Sequence, residues 1–346
     1  MPLAVQPPVV VAERPDAWLA APAVTSKATA WLSIPSAAGF ADVVTRRSGD
    51  SLVVRSTGKQ RVVFAGGCVS GDECDAVRAP AAIGPAEFGY AVTAGVAATY
   101  VAAVDGSGRT VVLRANERPA DAARMMVAAS PSRLVWVEAG AIVARDAATG
   151  AVRRVAAPRG VAGDVTSLAA TGDRVLWSVR DGDTTKVRLK VANAPVVELF
   201  VEKGARAVGG VALAADGTAA VARRVRDRGR ARIEIVIVRP GAAPKVIARS
   251  ARYGGGARAE LPRIAAAGTL VAYRVRSGAR GASESVWVAD LGGRGSKRLV
   301  TVARRAARLS DPGVSPGRVV WTRSDLGPDG RRLAGSRVMS VGVRVR

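Results

Sequence analysis

The segment Arg-Arg-Val-Arg-Asp-Arg-Gly-Arg-Ala-Arg, residues 223–232, carries six guanidiniums and one carboxylate. A guanidinium is planar, always charged, and binds phosphate, sulfate or carboxylate through two parallel hydrogen bonds. Such a density suits an anionic partner rather than a proton-transfer site. Further arginines lie in "RSARYGGGARAE" (249–260), in "ARRAAR" (303–308) and at 331–332. If the chain repeats four-stranded units, these stretches are links between second and third strands or between units, and both kinds of link emerge on one face. The candidate binding surface is therefore Arg224, Arg226, Arg228, Arg230, Arg252, Arg258, Arg304, Arg305, Arg331 and Arg332. It would face a protein partner or an anionic polymer. Reading of a DNA sequence is not expected, because no helix suited to a major groove is visible.

Other chemistry is sparse. The chain has no histidine, which excludes Ser-His-Asp and Cys-His machinery and histidine-ligated metals. Its two cysteines, Cys68 and Cys74 in "GGCVSGDECDA", cannot make a four-cysteine site. Gly71-Asp72 between them offers a turn that would bring them within disulfide reach, and a disulfide would argue for an oxidising compartment. The alternative is two unpaired thiols. Asp181 and Asp183 in "RDGDTTK" and Asp105 in "VDGSGRT" match no full calcium loop and are expected to serve as hairpin turns. No metal, cofactor or catalytic residue is assigned. An enzyme reading would need paired carboxylates near the starts of inner strands, where Asp164 and Asp311 are the residues to test.

The elements that position these residues follow from composition. The chain has 346 residues, a net charge of +24, and 49% hydrophobic but only 4% aromatic residues. A core must then come from Val, Ala, Leu and Ile, and the branched residues favour strands. Seven Lys and two Asn suggest a GC-rich genome, which writes Arg for Lys but does not create an excess of 52 basic over 28 acidic residues. No apolar run approaches the roughly 20 residues needed to span a bilayer, so no transmembrane segment is expected. The N-terminus lacks the pattern of a signal peptide. An extracytoplasmic location (periplasmic, cell-surface or secreted) is expected, with the export signal absent from this sequence; a cytoplasmic one is the alternative. A monomer is expected.

An apolar run ending in an aromatic recurs at Trp31, Tyr100, Trp136, Trp177, Tyr273 and Trp321, with a degenerate copy near Val221. From Tyr100 the spacings are 36, 41, 44, 52 and 48 residues, close to those of propeller blades. The fullest copy, 164–201, reads as four short strands joined by turns rich in Gly, Asp, Asn and Thr. Copies fall at about 15–65, 86–124, 125–157, 164–201, 208–249, 260–303 and 308–346. Segment 66–85 reads as an insertion, and "ADAARMMVAA" (120–129) as the best, marginal, helix candidate. The last copy is one strand short, and "AVQPPVVVAE" (4–13) is left over, so the N-terminus is expected to close the last blade. The prediction is an all-β, single-domain propeller of seven four-stranded blades; six or eight are compatible alternatives.

The segment "LPRIAAAGTLVAYRVRSGARGASESVWVADLGGRGSKRLV" (261–300) resembles a TolB-type, WD40-like (PD40) propeller repeat, and "DPGVSPGRVVWTRSD" (311–325) is similar. The resemblance covers roughly residues 125–346. It implies the propeller class, whose members include periplasmic scaffolds that bind other proteins. A non-catalytic binding or scaffold role is the leading expectation. Alternatives are a carbohydrate or lactone hydrolase or lyase with axial carboxylates, and nonspecific binding of nucleic acid or another polyanion.

Overall fold

Val and Ala alternate with polar residues over many runs of five to nine, and turns with Gly, Asp or Asn follow most of them, so the chain forms strands joined by tight turns. The computed structural model describes residues 3–35, 51–66, 68–70, 73–74, 76–77, 80–83, 86–94, 98–105, 107, 109–116, 126–130, 132–138, 140–157, 164–203, 208–252, 261–277, 282–292 and 295–345. Among these, helices are absent and the strands form a ring of small antiparallel sheets, a β-propeller.

Six sheets are contiguous meanders. Sheet 1 comprises Ala17–Val24, Ala28–Pro35, Ser51–Ser56 and Lys59–Ala65; sheet 2, Ala81–Ala82, Phe88–Ala94, Ala98–Val104 and Thr110–Asn116. Sheet 3 comprises Val127–Ser130, Arg133–Glu138, Ala141–Asp146 and Val152–Ala156; sheet 4, Asp164–Thr171, Arg174–Asp181, Thr184–Val191 and Val197–Lys203. Sheet 5 comprises Val208–Leu213, Ala219–Asp227, Arg230–Val238 and Lys245–Arg249; sheet 6, Ile264–Ala267, Leu270–Ser277, Ser283–Asp290 and Ser296–Ala303. Sheet 7 is composite. Ala307–Leu309 and Gly313–Ser315 both pair with Arg318–Leu326, which pairs with the long strand Leu333–Val345. The outer partners of that long strand are N-terminal, Leu3–Val5 and Val9–Arg14.

The first strand of each sheet packs on the first strand of the next, and Gly313–Ser315 of sheet 7 returns to Ala17–Val24 of sheet 1. At two of these seams glycine is required by close approach. A Cβ at Gly210 would lie 2.7 Å from the Pro262 carbonyl oxygen, and one at Gly313 would meet the Pro22 carbonyl oxygen.

The core lies between neighbouring sheets. Trp177 of sheet 4 shares a buried cluster with Val135 and Ile142 of sheet 3, and Trp321 of sheet 7 shares one with Val286 and Val288 of sheet 6. Each buried valine contributes roughly 1.5–3 kcal/mol relative to exposure. Trp136, Trp177 and Trp321 are completely buried and serve packing.

Three sequence expectations need correction. The aromatic of the second strand in sheet 2 is Tyr90, not Tyr100; Tyr100 lies on the third strand. Ala76–Val77 and Ala81–Ala82 both pair with Phe88–Ala94, so sheet 2 begins inside the segment set aside as an insertion. Those strands have two residues each, too short to show a period. Of the marginal helix candidate, residues 120–125 lie outside the described residues, and 127–129 belong to Val127–Ser130, the first strand of sheet 3. Its apolar residues satisfy either period over so short a run, and pairing with Arg133–Glu138 decides.

Candidate functional site

The turn 227–230 sits at the tip of the long hairpin formed by Ala219–Asp227 and Arg230–Val238. Arg228 has φ 50° and Gly229 φ 75°, so both central residues take the left-handed conformation of a two-residue type I′ turn, which matches strand twist. Arg226, Arg228 and Arg230 are exposed there.

Backbone and ionic contacts string the neighbouring links into one band. Asp227 accepts from Arg252 at 2.8 Å and pairs with Arg232 at 2.9 Å, tying the turn to the link after sheet 5. The Ala251 amide donates to the Arg276 carbonyl at the end of its strand, and the Arg304 amide to the Ala282 carbonyl. The Leu326 amide donates to the Ala306 carbonyl, and Gly330 sits against the Arg305 backbone. The band thus runs from 227–230 through 251–252, 276–277, 282 and 304–306 to 326–332. Asp329 accepts from the amides of Arg331 and Arg332, which holds the last turn and keeps its carboxyl below the usual range.

The ten arginines divide by role. Arg226, Arg228, Arg230, Arg305, Arg331 and Arg332 are exposed, and Arg332 lies 3.7 Å from Asp329 with its side chain 92% exposed. Arg252 and Arg304 are instead engaged by Asp227 and Glu284, and Arg224 is half-buried. Arg258 lies outside the described residues.

Beneath the band is a cluster that the sequence reading did not assemble. Glu284, 1% exposed, accepts from Arg304 at 2.9 Å, Arg276 at 3.2 Å and Arg274 at 3.4 Å, and from the Leu309 amide at 3.0 Å. Arg274 also donates to Asp311 at 2.9 Å, as does the Arg263 amide at 3.1 Å. The group joins sheet 6 to sheet 7. Burial lowers the pKa of nearby Arg308, and repulsion from Arg304, Arg276 and Arg274 adds to it against the attraction of Glu284. The available signal was Arg274 and Arg276 two apart in an apolar strand; the register sets Glu284 opposite Arg276.

A similar knot holds sheet 5. Glu234 accepts from Arg223 at 2.9 Å and Arg249 at 3.0 Å, and Arg223 also reaches Glu202 of sheet 4 at 3.0 Å. Burial pushes the Glu234 carboxyl up, but the two arginines outweigh it and hold it below its ordinary value. A depressed native pKa stabilises the fold above the unfolded value, and that contribution is lost as pH falls through the native one. Thermal midpoints should therefore drop below about pH 4.5, and Glu234→Gln should show a shallower drop between pH 7 and pH 3. A parallel decline in both proteins would show that Glu234 carries none of it.

The two aspartates tested for axial chemistry do not pair with each other. Asp164 of sheet 4 is engaged by Arg180, and Asp311 of sheet 7 by Arg274. Asp105 accepts from the Ser107 and Arg109 amides within its own turn, and Asp181 pairs with Lys186 at 2.7 Å.

Cys68 and Cys74 lie on a short two-stranded ribbon between sheets 1 and 2, directly opposite each other in the register. Among the described residues no helix is long and apolar enough to cross a membrane.

Comparison with solved structures supports the ring. The propeller domain of the Trilobed protease from Pyrococcus furiosus matches with a TM-score of 0.57 and 11% identity over 92% of each chain. Uncomplexed Pyrococcus horikoshii acylaminoacyl peptidase matches equally well over 92% of this chain, which spans 50% of that one. Virginiamycin B lyase from Staphylococcus aureus matches with a TM-score of 0.55 and 11% identity over 99% of both chains. At such identities the likeness is one of fold alone. No protein-family model and no curated protein matches the sequence.

Proposed function

We propose that the protein is a non-catalytic binding propeller that presents the arginine band of sheets 5 to 7 to an acidic partner. The observation that carries this reading is the exposed set Arg226, Arg228, Arg230, Arg305, Arg331 and Arg332 on mutually braced turns. Arg223, Arg249, Arg274, Arg276 and Arg337 of the same sheets are instead matched with carboxylates. A type I′ tip and an Asx-held turn fix the presenting backbone in advance, which reduces the entropy lost on association. The test is binding of fluorescent duplex DNA, used as a polyanion probe, and of a poly-glutamate peptide at several salt concentrations. Binding lost in the six-arginine glutamine variant supports the reading; unchanged binding overturns it.

Sheet 7 is taken as a seventh blade, closed by the N-terminal strands, and the repeats as kin of the TolB-type family. Export is proposed on the cysteine ribbon. Directly opposed residues in an antiparallel ladder have Cα atoms about 4.5–5.5 Å apart, within the range a disulfide spans. Unreduced protein from an oxidising compartment should resist iodoacetamide at both cysteines, and mass spectrometry should show one peptide cross-link. Two carbamidomethyl groups would remove the argument for export.

The enzyme alternative has less support. Its neighbours by fold include peptidases and a lyase, and the inactive form of that lyase is described by a histidine-to-alanine change. This chain has no histidine, and both candidate aspartates are held by arginine.

A further inference from the structure

The two flanks of sheet 7 differ in charge balance. On the flank toward sheet 6, guanidiniums surround Glu284 and Asp311. On the flank toward sheet 1, Arg318 meets another cation. Val338 shares a buried cluster with Leu19, Trp31 and Val53 of sheet 1, which identifies the faces that meet. Side chains two apart on a strand, and directly opposed across strands, lie on the same side. Arg55 is two residues from Val53 and opposite Thr29, so both face sheet 7. Arg318 is opposite Ser315 and Gly342, and Ser340 is two from both Val338 and Gly342, so these face sheet 1.

The resulting stretch of seam is polar and cationic. Arg318 Nε donates to Ser340 Oγ at 2.7 Å. Neither Arg318 nor Arg55 has an ion pair among the described residues. Ser315 is 4% exposed, and its Oγ has no hydrogen-bond partner among the described residues. Thr29 is buried beside Arg55, and the Gln6 side chain occupies the space a Cβ at Gly342 would take. Burial, and then the positive charge of Arg55, lowers the pKa of the Arg318 guanidinium, and among the described residues no carboxylate acts the other way. A buried hydroxyl left without a partner is unfavourable, and like charges brought together add to that.

We infer that this seam is a binding site for a phosphate or sulfate group, clasped between Arg55 and Arg318 with the Ser315 hydroxyl as a further donor. A tetrahedral oxyanion supplies acceptors to both guanidiniums and to the hydroxyl, and cancels their repulsion. The site lies at the seam of sheets 1 and 7, apart from the arginine band, and does not depend on it.

The test is thermal unfolding and titration calorimetry with inorganic phosphate, replaced by chloride at constant ionic strength. Wild type should bind one phosphate per chain, and its midpoint should rise by about 2 °C at saturating phosphate. Arg55→Gln and Arg318→Gln should lose both effects, and in chloride Arg55→Gln should melt at or above wild type because repulsion is relieved. Ser315→Ala, a minimal change, should weaken phosphate at least several-fold while keeping the wild-type fold. The Arg228→Gln, Arg230→Gln double variant should keep phosphate binding whatever becomes of the band. A phosphate-terminated oligonucleotide that competes while its dephosphorylated form does not would mark a polymer end as the source; competition by neither would mark the free ion. Equal midpoints in phosphate and chloride, or a phosphate effect that survives Arg318→Gln, would overturn the inference.

Discussion

Glu284→Gln should destabilise the protein by about 3–5 kcal/mol, the usual consequence of removing one partner from a buried ionic cluster. The substitution keeps shape and removes one charge. It leaves Arg274, Arg276 and Arg304 converging on a neutral amide that is 1% exposed. It also weakens the bond from the Leu309 amide, through which sheet 6 holds the first strand of sheet 7. The thermal midpoint should fall by roughly 5 °C for a chain of this size. Adding Arg276→Gln should recover part of the loss, because one uncompensated cation is withdrawn. A single variant within 0.5 kcal/mol of wild type, the range of ordinary surface changes, would show that apolar packing alone joins these sheets.

Replacing Arg226, Arg228, Arg230, Arg305, Arg331 and Arg332 by glutamine should abolish polyanion binding without lowering the thermal midpoint. These side chains are exposed, so their removal exposes no cavity and strands no buried partner. If all six contact phosphates of duplex DNA, wild-type affinity should fall about 10³-fold between 50 and 200 mM salt. The variant should lose nearly all of that dependence, and each single variant should lower the logarithmic salt slope by about one unit. Arg252→Gln is the informative contrast. Arg252 is engaged by Asp227, so its loss leaves that carboxylate with Arg232 alone, takes one positive charge from the band, and should weaken binding. Retention of the full salt slope by the six-residue variant would place the polyanion surface elsewhere.

Much of the architecture was legible because strands and turns announce themselves locally. The aromatic runs at Trp31, Trp136, Trp177, Tyr273 and Trp321 all fall on second strands, since a bulky ring is needed wherever two sheets meet. The leftover segment at 4–13 forms strands that pair with Leu333–Val345. Sheet 2 was misplaced because its first strand is two residues long and leaves no period to read. The arginine band was half legible. Chain order and strand count determined which links share a face, but not which arginines there have partners.

That division has one physical cause. Composition and period determine whether a segment is a strand and which of its sides is apolar, because both depend on neighbours within a few residues. The state of a charge depends on residues far apart in the chain. Glu284 gathers Arg304 and the Leu309 amide across a seam, Asp311 reaches back to Arg274, and Arg55 of sheet 1 lies on the side toward Arg318 of sheet 7. Sequence alone determined a ring of antiparallel sheets rich in arginine. Tertiary structure decided which of those arginines brace the ring, which face solvent, and which wait beside one another for an anion.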